Sequence, residues 1–251
     1  MRTNLLILGG TSEATALCKA VAEAGLKATL SLAGRVDRPL RQPLPMRVGG
    51  FGGAAGLASY LAEQAVTHVV DATHPFAAQM SANAVAGCLE VGVPLIALTR
   101  APWVAGPGDD WWQVPDIAGA VEALRGPRRS VMLAVGRMHL AAFAPNPQHR
   151  YLLRLIDPPV APLPFPEAEV VVGRGPFSAA GDRALMERHG IELVVSKNAG
   201  GLGAVAKIHA ARALGLPVIM IDRPALPLRR EVHGVAEVMA WLAHGSTDLG
   251  V

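Results

Sequence analysis

Apolar positions along this chain fall into short blocks, each ending at a polar or glycine turn and followed by a stretch with helical spacing. Asn4 to Leu8, Lys27 to Leu32, Met46 to Val48, His68 to Val70 and Leu95 to Leu98 read as strands. Short, nearly continuous apolar runs suit strands buried in a parallel sheet. Ser12 to Glu23 and Ala54 to Gln64 have helical spacing, and a further helix restarts at Phe76. The second half repeats the alternation. Its strands are Ser130 to Val135, Arg150 to Ile156, Glu169 to Val172, the block after Glu192, and Val218 to Ile221. Its helices are Asp116 to Leu124, Ala204 to Leu214 and Val235 to Ala243, the last of which is expected to cover a sheet edge. Strands alternating with helices predict an α/β fold with mainly parallel sheets.

The two halves match in detail. His68-Val-Val-Asp-Ala-Thr-His-Pro-Phe-Ala77 has a counterpart in Glu192-Leu-Val-Val-Ser-Lys-Asn-Ala-Gly-Gly201. Both run through an Ala-rich helix to a Gly-x-Pro turn, Gly92 to Pro94 and Gly215 to Pro217. Both continue into an apolar strand and end on an arginine, Arg100 and Arg223, six positions after the proline in each case. Such a long match predicts two similar domains. Residues 1–102 would form one and 116–245 the other. Ala101 to Asp116, rich in proline and glycine, would be the linker. Its tryptophans, Trp103, Trp111 and Trp112, would line a cleft or seal a domain interface.

The 51% hydrophobic content supplies a large core, and the net charge of +3 permits an anionic ligand. With no basic run and only 4% aromatic residues, nucleic acid is not an expected partner. Cys18 and Cys88 make no metal or redox spacing and read as reduced core thiols. No secretion signal or membrane-spanning run is evident, so a cytoplasmic protein is expected.

The polar turns hold the candidate chemistry. Gly9-Gly10-Thr11-Ser12-Glu13 joins a strand to a helix, where free N–H groups can hold a phosphate. An ordinary capped turn is the alternative, because Ala14 occupies the third glycine position of the dinucleotide fingerprint. Arg35 follows strand two, where an arginine suits a 2′-phosphate and favours NADP over NAD. The Gly49 to Gly53 turn would let a flat ligand lie on the backbone. Asp71, Thr73 and His74 stand at a strand end and would face a ligand. The second half places Arg137, His139, Arg154, Arg174, Lys197 and Arg223 at or near strand ends, a cluster suited to several carboxylates or phosphates. Ser196 to Gly203 is similar to a phosphate loop but lacks Walker spacing. No metal-ligand cluster, carboxylate pair or Ser/His/Asp arrangement stands out.

Gly9 to Glu13, Gly34-Arg35, Asp71 to Ala77, Gly173-Arg-Gly-Pro-Phe177 and Ser196 to Gly201 together resemble the precorrin-6A reductase family of cobalamin biosynthesis. The order and spacing fit over essentially the whole chain. The resemblance implies two Rossmann-like domains with the active site in the cleft between them. It also implies reduction of one macrocycle double bond by NADPH, with a polycarboxylate tetrapyrrole as substrate. Gly10, Thr11 and Ser12 would then hold the dinucleotide phosphates and Arg35 the 2′-phosphate. Gly50, Phe51 and Gly52, with Asp71 and Thr73, would flank ribose and nicotinamide. Gly200 and Gly201 would reach cofactor or substrate. Arg137, His139, Arg174 and Ser196 would bind substrate, and His74 or Lys197 would give the proton unless bulk water does. Three other readings remain open: a cobalt-precorrin reductase using NADH, a non-catalytic two-lobed binder of small anions, and a nucleotide-sugar transferase. Oligomeric state is left open.

Overall fold

Side chains along β1 (Asn4–Leu8) alternate between two buried faces. Leu5 and Ile7 pack with Leu17, Cys18 and Val21 of α1 (Ser12–Glu23), whereas Leu6 and Leu8 pack with Leu57 and Leu61 of α2 (Gly53–Glu63). A strand apolar on both faces needs a helix layer on each side, the condition for an all-parallel sheet. The computed structural model that shows this describes residues 3–34, 40–159, 161–173 and 175–244.

The first half adds β2 (Lys27–Leu32), β3 (Met46–Val48), β4 (His68–Asp71), α3 (Ala78–Val91) and β5 (Leu95–Leu98). Next come β6 (Trp111–Val114), α4 (Ile117–Ala123), β7 (Ser130–Ala134), a 3₁₀ helix (Arg137–Phe143), β8 (Arg150–Leu155) and β9 (Ala168–Val172). The chain continues through α5 (Ala179–Arg188), β10 (Leu193–Lys197), α6 (Ala206–Leu214), β11 (Val218–Ile221), β12 (Glu231–Val232) and α7 (Val235–His244). They build two six-stranded sheets, ordered β12-β5-β4-β1-β2-β3 and β6-β11-β10-β7-β8-β9. Every strand pairing is parallel. The matched Gly-x-Pro turns have a common cause. Gly92 and Gly215 close α3 and α6 in the left-handed conformation (φ 70° and 63°), which lets the amides of Val93 and Leu216 reach back to Cys88 and Ala211 carbonyls.

The sixth strands are exchanged. β6 follows the first five strands in sequence but pairs with β11, and β12 follows the second five but pairs with β5. The compact units are therefore Met1–Ala101 with Ala225–Val251, and Pro102–Pro224. This differs from the expected ranges in two ways. The expected linker contains a strand, and the last helix packs on α1 of the first unit. β6 is hidden by the proline- and glycine-rich stretch around it, and β12 has only two residues. α5 also escapes an apolar reading because it is largely polar; its start is marked by Ser178, whose hydroxyl caps the Gly181 amide.

Candidate active site

Ligands of open parallel sheets bind at the carboxyl ends of the strands. At the end of β1 the chain runs tight against β2. The Gly9 amide donates to the Ser31 carbonyl at 2.9 Å, and a Cβ on Gly9 would stand 2.4 Å from a Leu30 methyl. Gly10, at φ 125°, turns the chain toward α1 with open space around it. Thr11 caps the helix: its hydroxyl accepts from the Ala14 amide (3.1 Å) and donates to the Ala72 carbonyl (2.8 Å). The one hydroxyl proton is thus used inside the protein. Of the two roles that the sequence leaves open for the Thr11 hydroxyl, phosphate donor or helix cap, the structure shows the cap. The first-turn amides have no intrahelical acceptor, and they lie at the positive end of the helix dipole. The Ser12 hydroxyl donates to Glu13 (3.0 Å), whose carboxylate also meets Arg100 at 3.5 Å.

A second turn leaves β3. Gly49 and Gly52 have φ of 123° and 82°, and Gly50 and Gly52 are exposed. Arg47 ties this turn down by donating to the Gly49 and Gly50 carbonyls (3.0 and 3.1 Å) and to Ser31 Oγ (2.8 Å). Its guanidinium lies 3.9 Å from the Phe51 ring centre, and Phe51 packs edge-on against Tyr60. Phe51 is therefore held by the protein, with its backbone left to meet a ligand.

Asp71 ends β4 and is only 2% exposed. Oδ1 accepts from the Thr73 amide (3.1 Å) and hydroxyl (2.7 Å); Oδ2 accepts from Ser81 Oγ (2.6 Å) and from Arg229 Nη1. Two donors on each oxygen exhaust the lone-pair positions of a carboxylate. Asp71 does not face a ligand; it shapes the turn that does, which corrects the sequence reading. Within that turn His74 is half-buried, and its Nδ1 accepts from the Phe76 amide at 3.2 Å. A neutral His74 is thereby the tautomer with its proton on Nε2.

In the second unit β7 ends at Ala134 and Gly136 leads into the 3₁₀ helix, on which Arg137 and Met138 are exposed and His139 is half-buried. Ile156, Val172 and Leu202, at or after the ends of β8, β9 and β10, are exposed as well. Lys197, at the end of β10, is half-buried. Two of the expected basic groups are engaged elsewhere. Arg154 forms a two-point pair with Asp182 and lies 4.3 Å from the Phe177 ring centre. Arg223 donates to the carbonyls of Asn198 (3.0 Å) and Ala199 (3.1 Å). Ser196 has no exposed surface and donates to the Lys197 carbonyl at 3.2 Å, so it does not face a substrate. Gly200 is buried and Gly201 half-buried, both with φ near the left-handed region (67° and 68°). Burial pushes the Lys207 ammonium down to about 7, helped by nearby Arg154 and opposed by Asp182. Arg35 and Arg174 lie outside the described residues.

The structure thus gathers Gly10, Ser12, Gly50, Phe51, Gly52, Thr73 and His74 on the carboxyl edge of the first sheet. Arg137, His139, Lys197 and Gly201 share the corresponding edge of the second. Sequence reasoning misses Arg47, Trp103, Asn198 and Arg229, which hold the turns. A charge inside the apolar strand Met46–Val48 is a usable signal for Arg47. Arg229 offers none, since its partner is 158 positions away.

Comparison with known proteins agrees with this fold. Residues 4–243 match the family model described as precorrin-6x reductase CbiJ/CobK. A precorrin-6A reductase of Rhodobacter capsulatus is 57% identical over 99% of this chain and 100% of its own length. One from Mycobacterium tuberculosis is 41% identical over 96% and 98%. A cobalt-precorrin-6A reductase of Priestia megaterium is 30% identical over 88% and 91%. A solved structure, CobK precorrin-6A reductase, superposes with a TM-score of 0.93 at 57% identity, over 96% of each chain. Matched from its first strand to its last helix, the chain belongs to the CbiJ/CobK precorrin-6x reductase family.

Proposed function

We propose that this protein is a cytoplasmic enzyme that reduces one double bond of precorrin-6A to give precorrin-6B, with NADPH as the reductant. The observation that supports this most is the mixed character of the second sheet's carboxyl edge. Arg137, His139 and Lys197 stand there among the exposed apolar side chains Met138, Ile156, Val172 and Leu202. A flat macrocycle with a carboxylate rim asks for this combination: apolar surface for the ring and cations for the rim. The first sheet's edge fits a dinucleotide instead. Open backbone at Gly10 leads to the Ser12 and Glu13 amides at the helix start for the pyrophosphate, and the Gly50–Gly52 backbone accepts a flat group. A nicotinamide, when bound, supplies the hydride. His74 and Lys197 are the side-chain candidates to give a proton to the neighbouring ring carbon, and bulk water is the alternative.

The relatives named precorrin-6A reductase are 41–57% identical to this chain and those named cobalt-precorrin-6A reductase 28–30%, which favours the metal-free substrate. NADPH preference is assigned to Arg35. The deciding experiment titrates the purified protein with NADPH and NADH. Arg35→Ala should weaken NADPH by about 1.5–3 kcal/mol, the worth of a charged hydrogen bond, and leave NADH unchanged. Equal losses for both would remove the 2′-phosphate assignment. Tighter NADH binding in the parent protein would point to the cobalt branch.

A further inference from the structure

Each unit receives its sixth strand from the other half of the chain, and each incoming segment brings a residue that bonds directly to a ligand-edge turn. In the first unit the segment before β12 brings Arg229. Its guanidinium is buried against Asp71 and also meets Glu231 at 3.2 Å. Asp71 in turn holds the Thr73 amide and hydroxyl and Ser81 on α3. In the second unit the segment before β6 brings Trp103. Its amide donates to Asn198 Oδ1 (2.7 Å), its carbonyl accepts from Asn198 Nδ2 (2.9 Å), and its indole N–H donates to the Gly201 carbonyl (2.8 Å). Lys207 lies 5.0 Å from the Trp103 ring centre and donates to the Ala204 carbonyl at 2.7 Å, closing the far side of the same loop.

The two locked turns are equivalent in the repeat, since both follow the fourth strand of their half, β4 or β10. Their chemistry differs, a buried ion pair in one and an amide–indole clamp in the other. An edge strand needs only backbone pairing to join a sheet, so neither lock is required for the exchange itself. We propose that the exchanged segments are positioning elements of the active site: Arg229 sets the 71–74 turn and Trp103 sets the 198–201 loop, each from outside the half that supplies the turn.

The assignment of ligands rests on the proposed function, with cofactor on the first edge and tetrapyrrole on the second; the positioning itself does not. The test uses full-length Arg229→Met and Trp103→Phe, followed by thermal melting, hydrogen–deuterium exchange and kinetics with NADPH and precorrin-6A. Arg229→Met should speed exchange in residues 71–77 and leave 196–204 at the parent rate. It should raise one ligand's KM by about tenfold, the cost of a lost charged hydrogen bond, with a smaller change in kcat. Arg229→Lys should recover part of that loss. Trp103→Phe keeps an aromatic ring and the backbone bonds to Asn198 but removes the five-membered ring with its N–H, and should show the mirror pattern on 198–201 and on the other ligand. A split with the two ligands interchanged would support the positioning and overturn only the ligand assignment. Equal rises in both KM values that track a lower Tm would overturn the proposal. So would faster exchange of either turn with unchanged kinetics. Should Arg229→Met fail to fold, Ser81→Ala removes one bond to Asp71 and should give the same pattern at lower amplitude. Unchanged exchange in 71–77 and unchanged KM in that variant would overturn it.

Discussion

β1 and β7 hold the same place in their sheets, with the same neighbours in the repeat, yet they lead into different helices. After β1 comes a Thr-capped α-helix of 12 residues; after β7 comes a 3₁₀ helix of 7. An α-helix start presents aligned, unbonded amides, which suits a phosphate. The 3₁₀ helix has poorer hydrogen-bond alignment and here presents side chains, Arg137, Met138 and His139. The third-strand turns diverge in the same sense. Arg47 on β3 reaches the glycine carbonyls of its own turn, while Phe177, after β9, is met by Arg154 of the neighbouring strand β8, which is committed to Asp182. The repeated scaffold has kept its sheet and changed the turns at its carboxyl edge, which present backbone in one unit and side chains in the other.

Gly56→Ala should break the first edge most severely. A Cβ there would stand 1.8 Å from the Phe51 carbonyl oxygen, so backbone must move. We expect about 3 kcal/mol of lost stability by urea unfolding, the upper range for overpacking, together with weakened NADPH binding. Unchanged cofactor affinity in the folded variant would separate the glycine turn from the cofactor. Arg137→Ala sharpens the contrast from the other side. It should weaken tetrapyrrole binding by about 2 kcal/mol and leave NADPH binding as it was. Loss of NADPH affinity instead would place Arg137 on the wrong ligand.

Lys207→Met touches neither ligand edge and has a characteristic pH dependence. The folded-state value, about 7, lies below the ordinary 10.5. Below pH 7 the lysine is charged in both states, and the fold bears the full cost of burying it. From there to about pH 10 the unfolded chain binds more protons, so the parent protein gains stability as pH rises. The methionine variant lacks this gain. Its stability relative to the parent should therefore fall by about 3–4 kcal/mol between pH 7 and pH 10. A pH-independent difference would show that Lys207 stays charged in the fold.

Much of the architecture is legible in the sequence. Apolar blocks of strand length, helical spacing and the doubled Gly-x-Pro turn each report a local preference, and ten of the strands are read from them. The errors at the site come from side-chain direction. A strand-end position suggests that Asp71 faces a ligand. Period-2 parity gives the other answer, since Asp71 shares a face with Val69, which packs in the cluster containing Ala84 and Cys88 of α3. Ser196 likewise shares the face of Val194, which packs against Ile208 and Ala211 of α6. Thr11 is legible as a possible cap, but its bond to the Ala72 carbonyl, 61 positions on, is not.

The sequence by itself determined the α/β class, the repeat, the glycine turns and the left-handed caps, because these depend on residues a few positions apart. Only the tertiary structure decided which sheet takes β6 and β12, and hence that Trp103 and Arg229 reach the turns they hold. Backbone pairing at a sheet edge is nearly indifferent to side-chain identity, as in the Ala97 amide to Arg230 carbonyl and Val218 amide to Asp110 carbonyl bonds. Which edge a short strand joins is set by where the rest of the chain has already folded.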